Sequence, residues 1–370
     1  MTPIRIVVVD DSVVIRRVLT DILDADPDIE VVATASNGRL GLERIAQYRP
    51  DVVTLDIEMP EMDGLEAVKE LRRTDRRTPV IMFSTLTERG GSATLEALAN
   101  GANDYVTKPA STGSPTAAME RVRTDLLPRI KALVGRGAAV PRTVAGSTST
   151  PVAPVVTRAP RPATSPVEIV AIGTSTGGPN ALEEVLTHLP GDLGVPIVVV
   201  QHMPPLFSRL LAERLDTKTR LRIVEAEPGM RLEPGLVVIA PGDFHMVLRQ
   251  TLAGGVEVRT NQDAPENSCR PAVDVLFRSV AQVYGPRSFG VVMTGMGQDG
   301  MLGARALVEA GADVIAQDEA TSVVWGMPGA VARDGTASAL VPLPQIASTI
   351  DRRVRRLAAV PTPVTTGSSR

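Results

Sequence analysis

The chain has 370 residues, of which 43% are hydrophobic and 22% are charged, and its formal net charge at pH 7 is -3. This composition is typical of a globular protein with two domains, and a slightly acidic balance argues against a nucleic-acid partner. One cysteine, Cys269, excludes an internal disulfide, and no apolar run has the length of a signal peptide or membrane span, so we expect a cytoplasmic protein without membrane insertion.

The first part of the chain, residues 1–134, alternates short apolar runs with amphipathic stretches. The apolar runs lie at 4–9, 31–35, 52–55, 80–83 and 105–106. Stretches such as 13–23 place apolar residues at helical spacing between these runs. Five βα units of this kind predict an α/β domain with a doubly wound parallel sheet and helices on both faces.

Acidic residues and one lysine follow the predicted strands of this domain. The residues at these strand ends are Asp10, Asp11, Asp56, Ser84 and Lys108. Because ligands bind beyond the carboxyl ends of parallel strands, these groups are expected to meet, and such carboxylates suit a divalent cation and a phosphoryl group. The pattern predicts Asp56 as a phosphoryl acceptor. The alternative is that Asp10 and Asp56 only cap helices and that Lys108 is a solvated charge.

These residues resemble the receiver domain of two-component response regulators, over residues 1 to about 112. The resemblance implies a sensor histidine kinase as phosphodonor and phosphorylation at Asp56. It implies that Lys108 and Ser84 contact the phosphoryl group and that Tyr105 is the aromatic residue that reports the phosphorylation state. It also implies a Mg²⁺ ion held by Asp10, Asp11, Asp56 and the Glu58 carbonyl.

The next segment, 135–166, is rich in Pro, Ala, Thr, Ser and Val and lacks periodicity. This composition predicts a partly extended linker that lets two domains change their relative position. A second domain is predicted over 167–360, and the final residues, 361–370, are expected to be a frayed tail.

The second domain opens with a strand over 167–173, a tight loop and a helical pattern over 180–189. Further strands are predicted at 197–201, 236–240 and 289–294, and a helix at 299–310. Strands that alternate with helices predict a second α/β fold with a mostly parallel sheet.

Three polar residues that follow strands of the second domain form a candidate catalytic set. Ser175, His202 and Asp299 each lie just beyond a different predicted strand. A serine hydroxyl is a weak nucleophile until a histidine accepts its proton, and the resulting imidazolium needs a carboxylate. The glycines after Ser175 add backbone donors for an oxyanion. The alternative is that Ser175 and Asp299 only cap helices and that His202 lies at a core edge.

Four segments resemble the catalytic domain of chemotaxis response regulator protein-glutamate methylesterases. They are residues 172–178, 201–204, 269–277 and 294–300. The resemblance implies a phosphorylation-activated serine hydrolase that demethylates glutamate methyl esters on chemoreceptors. It also implies deamidation of receptor glutamines by the same acyl-enzyme route.

The same resemblance implies individual roles in the second domain. Ser175 is the expected nucleophile, His202 the base and Asp299 the acid that orients it. Thr176 is an expected support, and the Met296 backbone N–H an oxyanion donor. No cofactor is expected in this domain, since one cysteine and scattered histidines do not form a zinc site.

Two questions stay open at the level of sequence. Arg270 either binds a substrate carboxylate or pairs with a structural acid. The competing class for the whole chain is a response regulator with a ligand-binding or gene-regulatory output domain, although no basic patch supports it. We further expect the receiver to lie over Ser175 and to exclude the receptor until phosphorylation of Asp56 weakens this docking.

Overall fold

The structure is a computed structural model that describes residues 2–108, 115–135 and 165–355. Nearly all of the predicted linker and the whole predicted tail lie outside the described residues. The domain boundaries at these segments therefore stay predictions. No helix within the described ranges is both long enough and apolar enough to cross a membrane.

The N-terminal part forms a five-stranded parallel sheet in the order β2-β1-β3-β4-β5. Its strands are β1 (Ile4–Val9), β2 (Ile29–Ala35), β3 (Val52–Asp56), β4 (Val80–Ser84) and β5 (Asp104–Thr107). Its helices are α1 (Val13–Asp24), α2 (Gly38–Tyr48), α3 (Gly64–Thr74), α4 (Glu88–Ala99) and α5 (Pro115–Leu133). The predicted doubly wound fold is confirmed, and its strand order reverses between β1 and β3.

Apolar packing on both faces explains why these strands are continuous apolar runs. Ile6 and Val8 of β1 pack in a cluster with Leu126 of α5. Val7 and Val9 point to the other face and join the cluster formed with α2, α3 and α4. Successive residues of a strand face opposite sides, so one strand supports two helical layers. The sheet edge beyond the strands is left for polar residues.

The C-terminal part contains a parallel sheet that has seven strands within the described residues, in the order β14-β13-β12-β6-β7-β9-β8. The strands are β6 (Ile169–Thr174), β7 (Ile197–Gln201), β8 (Arg222–Glu225), β9 (Leu236–Ile239), β12 (Ser288–Val292), β13 (Asp313–Gln317) and β14 (Ala339–Val341). A separate antiparallel hairpin is formed by β10 (His245–Gln250) and β11 (Val256–Asn261). The prediction of a second, mostly parallel α/β fold is confirmed.

The helices of this part cover both faces of the larger sheet. They are α6 (Gly178–His188), α7 (Pro205–Asp216), α8 (Val273–Tyr284), α9 (Met301–Glu309), α10 (Met327–Arg333) and α11 (Leu343–Arg355), with a short 3₁₀ turn at Gly285–Arg287. The helix predicted from residue 299 begins only at Met301, because Gly300 has a φ of 90° and occupies the N-cap position. Asp299 is therefore free to direct its carboxylate elsewhere.

Candidate functional site

The carboxyl ends of β1, β3 and β5 bring two carboxylates and one ammonium group together. Asp10 directly follows β1, Asp56 ends β3 and Lys108 directly follows β5. Lys108 Nζ lies 2.9 Å from Asp10 Oδ2 and 2.7 Å from Asp56 Oδ2. Both aspartates are buried. One cation therefore faces two buried anions, and the cluster keeps an excess of negative charge.

This charge excess shifts the ionisation of the cluster. Burial raises the pKa of the Asp56 carboxyl to about 6, with Asp10 and Asp11 adding to the rise and Lys108 opposing it. Burial lowers the pKa of Lys108, but its bonds to Asp56 and Asp10 outweigh burial and raise that pKa overall. A second cation would relieve this repulsion and keep Asp56 ionised at neutral pH.

The donor set of the cluster fits a Mg²⁺ ion. Asp10 Oδ2 and Asp56 Oδ2 are buried, and within the described residues each faces the Lys108 ammonium and no other polar partner. Carboxylate oxygens of Asp10, Asp11 and Asp56 lie within 4.8 Å of one another. Carboxylate oxygens are the hard ligands that Mg²⁺ prefers, and a divalent cation would balance the negative charge that Lys108 leaves. Glu58 lies in the loop after β3, and its carbonyl as a ligand stays a prediction.

The two predicted switch residues both engage elements that face the second part of the chain. The Ser84 hydroxyl donates to Gly90 O at 3.2 Å and accepts from Thr94 Oγ1 at 2.7 Å, so it is bound to α4. The Tyr105 ring is buried and stacks on Phe207 of α7, with centroids 4.6 Å apart and planes 11° apart. Ser84 is therefore tied to α4, and Tyr105 contacts the second part of the chain directly.

A second polar cluster forms where the strand order of the larger sheet reverses. Ser175 follows β6, His202 follows β7, and Asp299 lies in the loop after β12. In the sheet, β6 lies between β12 and β7. Ser175 N donates to Thr294 O at 3.0 Å, and His202 N donates to Thr174 O at 3.2 Å. Parallel strands place their carboxyl ends at one edge, which is where ligands bind in such sheets.

The Asp299 carboxylate is held by five hydrogen bonds. Its Oδ2 accepts from His202 Nε2 at 2.8 Å and from Val273 N at 2.6 Å. The donors to its Oδ1 are Asn267 Nδ2 at 3.1 Å, Asp274 N at 3.0 Å and Gly300 N at 2.9 Å. Burial favours the neutral acid, but the bonds to His202 and to these N–H groups outweigh it and lower the pKa of Asp299. The carboxylate is ionised and cannot rotate freely.

His202 is engaged at both ring nitrogens. Nε2 faces Asp299, and Nδ1 lies 3.5 Å from the Cys269 sulfur. Burial lowers the pKa of His202, but Asp299 and Cys269 outweigh burial and raise it above its usual range. Within the described part of the chain, the Ser175 hydroxyl forms no hydrogen bond to His202. Catalytic hydrogen bonds are often long in the absence of substrate. Nδ1 is the ring nitrogen that does not face Asp299, and its polar contact among the described residues is the 3.5 Å contact with the Cys269 sulfur.

The loop that carries Ser175 is fixed by glycines and by one glutamine. Gly177 has a φ of 77° and caps α6, and Gly178 N donates to Ser175 O at 2.7 Å. Gln201 Nε2 donates to Ser175 O and to His202 O, each at 3.0 Å. A Cβ at Gly178 would lie 1.9 Å from Gln201 Oε1, so only glycine fits there. One amide thus holds the backbones of both residues.

The predicted oxyanion loop passes next to the serine. A Cβ added to Gly295 would lie 2.9 Å from Ser175 Cβ, which places the backbone of that loop against the serine. Met296 is the next residue of the loop. Backbone N–H groups at such a position suit an oxyanion that forms at the carbon attacked by the serine. The Met296 N–H as the donor stays a prediction.

Two predicted residues make contacts that the sequence did not specify. The Thr176 hydroxyl donates to Asp104 Oδ2 at 2.8 Å, so its side chain binds β5 of the first sheet. Arg270 Nη2 lies 2.6 Å from Asp243 Oδ1, and Nη1 donates to two backbone carbonyls of 262–263. The geometry favours the structural acid over a substrate carboxylate as the partner of Arg270.

The two polar clusters belong to parts of the chain that touch. A cavity of about 450 Å³ lies between the first and second parts of the chain and is lined by residues of both. The residues from the first part are Tyr105, Val106, Thr107, Asp125 and Arg129, and those from the second include His202, Cys269 and Arg270. Access to His202 therefore depends on how the first sheet is docked.

Three residues of this site were missed or given no role by sequence reasoning. Asn267 and Asp274 surround Asp299, and Cys269 faces His202 Nδ1. The segment 269–277 contains Cys269 and Asp274 but does not indicate what they do, and Asn267 lies outside it. His202, Cys269 and Asp299 are also close enough to be considered as metal ligands. The Asp299 oxygens already accept five N–H groups, which fits an orienting acid better than a metal ligand.

Comparisons with known proteins match two separate parts of the chain to two families. The CheB methylesterase family matches residues 170–350, and the response regulator receiver domain matches residues 6–120. A protein-glutamate methylesterase/protein-glutamine glutaminase of a Nocardioides species is 56% identical over 96% of this chain and 97% of its own length. A protein of the same name from Trichodesmium erythraeum is 47% identical over 96% of this chain and 100% of its own length. The catalytic domain structure of Thermotoga maritima CheB methylesterase is 42% identical, with a TM-score of 0.49, over 50% of this chain and 98% of that chain.

Proposed function

The chain belongs to the CheB methylesterase family with an N-terminal receiver domain, and from that premise we propose how its two sites act together. The enzyme is a protein-glutamate methylesterase and protein-glutamine glutaminase of chemotaxis, and its receiver domain regulates it. We propose the cytoplasmic domains of chemoreceptors as its substrates. The single observation that carries the catalytic assignment is the Asp299-His202 pair beside Ser175, at the edge where β12, β6 and β7 end.

In the proposed reaction, Ser175 Oγ attacks the γ-carbonyl carbon of a glutamate methyl ester. His202 Nδ1 takes the hydroxyl proton and passes it to the departing methoxide, so that methanol leaves and an acyl-enzyme remains. Water then attacks the acyl carbon, His202 takes its proton, and the Ser175 oxygen leaves with that proton. The products are a glutamate side chain and free enzyme. A glutamine follows the same route with ammonia as the leaving group.

Asp299 is proposed to orient His202 throughout this cycle. Its carboxylate holds the Nε2–H of His202, which fixes the tautomer that leaves Nδ1 free to accept a proton. It also stabilises the imidazolium that forms in each step. The N–H of Met296 and the amino end of α6 are proposed to stabilise the oxyanion on the carbonyl oxygen.

We propose that Asp56 accepts a phosphoryl group from a sensor histidine kinase. Asp10, Asp11, Asp56 and the Glu58 carbonyl would hold Mg²⁺, which supplies charge neutralisation for the phosphoryl oxygens. Lys108 is placed to contact the phosphoryl group from the opposite side. Ser84 would turn from α4 toward that group, which releases Gly90 O and Thr94. The same region of α4 lies against α7, since a Cβ at Gly91 would be 2.7 Å from Leu210 Cδ1.

Docking of the receiver is proposed to restrain the esterase. The Asp104 carboxylate bonds to Thr176 next to Ser175, the Tyr105 ring lines the cavity that contains His202, and α4 packs against α7. A receptor helix is too bulky for the 450 Å³ cavity that remains. Phosphorylation would weaken this docking and shift the enzyme toward an open state.

The segment 135–166 is proposed as the linker that allows the movement, with 1–134 and 167–360 as the two domains. A single cysteine suits the proposed cytoplasmic location.

Methanol release from methylated receptor tests the catalytic assignment. Ser175→Ala is expected to lose at least about 1000-fold in kcat. His202→Ala should lose as much, and the double variant should lose little more, because the two residues act as a unit. Ser322→Ala, whose hydroxyl donates to Asp318 O, is the matched control and should keep full activity. Wild-type rates in Ser175→Ala would refute the assignment and favour a binding role for the second domain.

A further inference from the structure

Two buried acids cap each other's helices behind the proposed catalytic histidine. Asp299, which precedes α9, accepts hydrogen bonds from the first-turn N–H groups of Val273 and Asp274 in α8. Asp274, in the first turn of α8, accepts a hydrogen bond from Gly303 N of α9 at 2.6 Å. Neither helix has a side-chain cap from its own N-cap residue. The orientation of the Asp299 carboxylate therefore depends on how Asp274 holds α9.

One side-chain amide bridges these two carboxylates. Asn267 Nδ2 lies 2.9 Å from Asp274 Oδ2 and 3.1 Å from Asp299 Oδ1. An amide nitrogen carries two hydrogens, so it can donate one to each acid. Without this donor the two carboxylates would face each other directly, which favours protonation of one of them. Asn267 has a φ of 51°, a backbone conformation that asparagine tolerates better than most residues.

We propose that Asn267 and Asp274 are positioning residues of the esterase, which hold the Asp299 carboxylate in the orientation that bonds His202 Nε2. The proposal rests on the proposed function of Ser175, His202 and Asp299. It adds that the orienting acid is itself oriented by an Asn–Asp pair. Among the described residues, the side-chain hydrogen bonds of the two go to each other, to Asp299 and to α9, so we expect them to affect the rate of the chemical step and to leave substrate binding unchanged.

Other groups near His202 must be held constant in any test of this pair. Asp299 and Cys269 face the imidazole directly. Asp125 and Arg129 of the receiver share the cavity with it, as do Asp243 and Arg270. The test therefore compares variants of the full chain under one phosphorylation condition, so that these groups are the same in every sample.

Asn267→Ala is the primary variant, because Asn267 is exposed and its truncation leaves no buried cavity; thermal unfolding checks the strain of alanine at a φ of 51°. We expect kcat for methanol release to fall about tenfold, as for loss of a hydrogen bond to a charge, with KM within about twofold. The chain has three histidines, so the imidazole N–H resonance of His202 can be assigned by NMR. It should move upfield in Asn267→Ala, because the bond to Asp299 weakens.

Asp274→Asn is the second variant. The new amide would place a donor against Asn267 Nδ2, so Asn267 should turn from Asp299 and the His202 resonance should move in the same direction. The matched controls are Asn261→Ala and Asp216→Asn, whose side chains accept from Asp263 N and Ile223 N. They should change thermal stability at most and leave the resonance unchanged.

The outcomes separate this inference from the proposed function. A folded Asn267→Ala protein with an unchanged His202 resonance and unchanged kcat would overturn the positioning role, even if Ser175→Ala is inactive. A changed resonance that is equalled by Asn261→Ala would overturn it as well, since the effect would then be nonspecific. If Ser175→Ala retains activity, the proposed function fails, while the His202 resonance still reports whether Asn267 orients Asp299.

Discussion

Asp104 of the receiver accepts a hydrogen bond from Thr176, the residue that follows the proposed nucleophile, at 2.8 Å. The same Asp104 oxygen lies 2.6 Å from Arg129 Nη1. Asp104 thus joins a receiver cation to the serine loop of the other domain. The contact is buried on both sides, and hydrogen bonds to a buried charge are stronger than exposed ones. A substitution at Asp104 therefore tests whether this contact holds the receiver against the catalytic domain.

Asp104→Asn should raise methanol release by the unphosphorylated chain. The variant keeps the shape of the side chain but removes the charge that holds Thr176 and Arg129. A docking equilibrium weakened by about 1 kcal/mol would raise activity about fivefold. Asp28→Asn, which removes an exposed partner of Lys131, is the control and should leave the rate unchanged. Equal rates for Asp104→Asn and wild type would show that this contact does not restrain the enzyme.

Deletion of residues 1 to about 150 should raise basal activity and remove the response to phosphodonor. The receiver surface that contacts α7 would be gone, so the site near His202 would be open at all times. Methanol release by the full chain and the fragment, with and without acetyl phosphate, measures this. A fragment no faster than the unphosphorylated full chain would rule out simple occlusion. Phosphodonor activation of the full chain in that case would mean that the receiver assists catalysis directly.

Asp56→Asn should abolish incorporation of acid-labile phosphate from acetyl phosphate. The amide is a far weaker nucleophile than the carboxylate, and Asp56 is the aspartate that ends β3, the middle strand of the receiver sheet. Removal of Mg²⁺ with a chelator should have the same effect on the wild type, because the oxygens of Asp10 and Asp56 would repel the donor. Asp51→Asn, at an exposed site before β3, should label normally. Full labelling of Asp56→Asn would place the phosphoryl group elsewhere.

The stability of the receiver without Mg²⁺ should increase as the pH falls from 7 toward 4. The pKa of Asp56 is raised from 3.8 to about 6 by burial, so the folded state binds a proton that the unfolded state does not bind in this range. The gain should be about 1 to 2 kcal/mol after allowance for solvent screening. Urea unfolding at several pH values measures it. In Asp56→Asn the pH dependence should diminish, and an unchanged slope would assign it to another group.

Asp299→Asn should move the acid limb of the pH–rate profile to lower pH while the plateau falls. The charge of Asp299 raises the pKa of His202 against the effect of burial. Its removal lowers that pKa, so the neutral base is available at lower pH. The plateau should fall about 100- to 10,000-fold, because the imidazole loses its fixed tautomer and the imidazolium its counter-ion. Profiles of kcat/KM for both forms test this, and an acid limb at unchanged pH would mean that it reports a different group.

Much of the secondary structure of both domains could be predicted, because the sequence signals for it are local. The strand Ile4–Val9 and the strand Ile197–Gln201 begin and end where their apolar runs do. Asp10, Asp56 and Lys108 could be expected to meet because parallel strands bring their carboxyl ends to one edge of the sheet. The same argument placed Ser175, His202 and Asp299 together. In each case residue type and periodicity carry the information, and no long-range geometry is needed.

Only the tertiary structure decided the contacts between residues that are distant in sequence. The packing of α8 and α9 determines which nitrogen of His202 faces Asp299 and that Cys269 faces the other nitrogen. The same packing lets Asn267 bridge Asp274 and Asp299. Thr176 was expected to support the serine, and its hydroxyl instead bonds across the domain boundary to Asp104. Side-chain direction and domain docking arise from packing of whole elements, which a pattern along one chain does not encode.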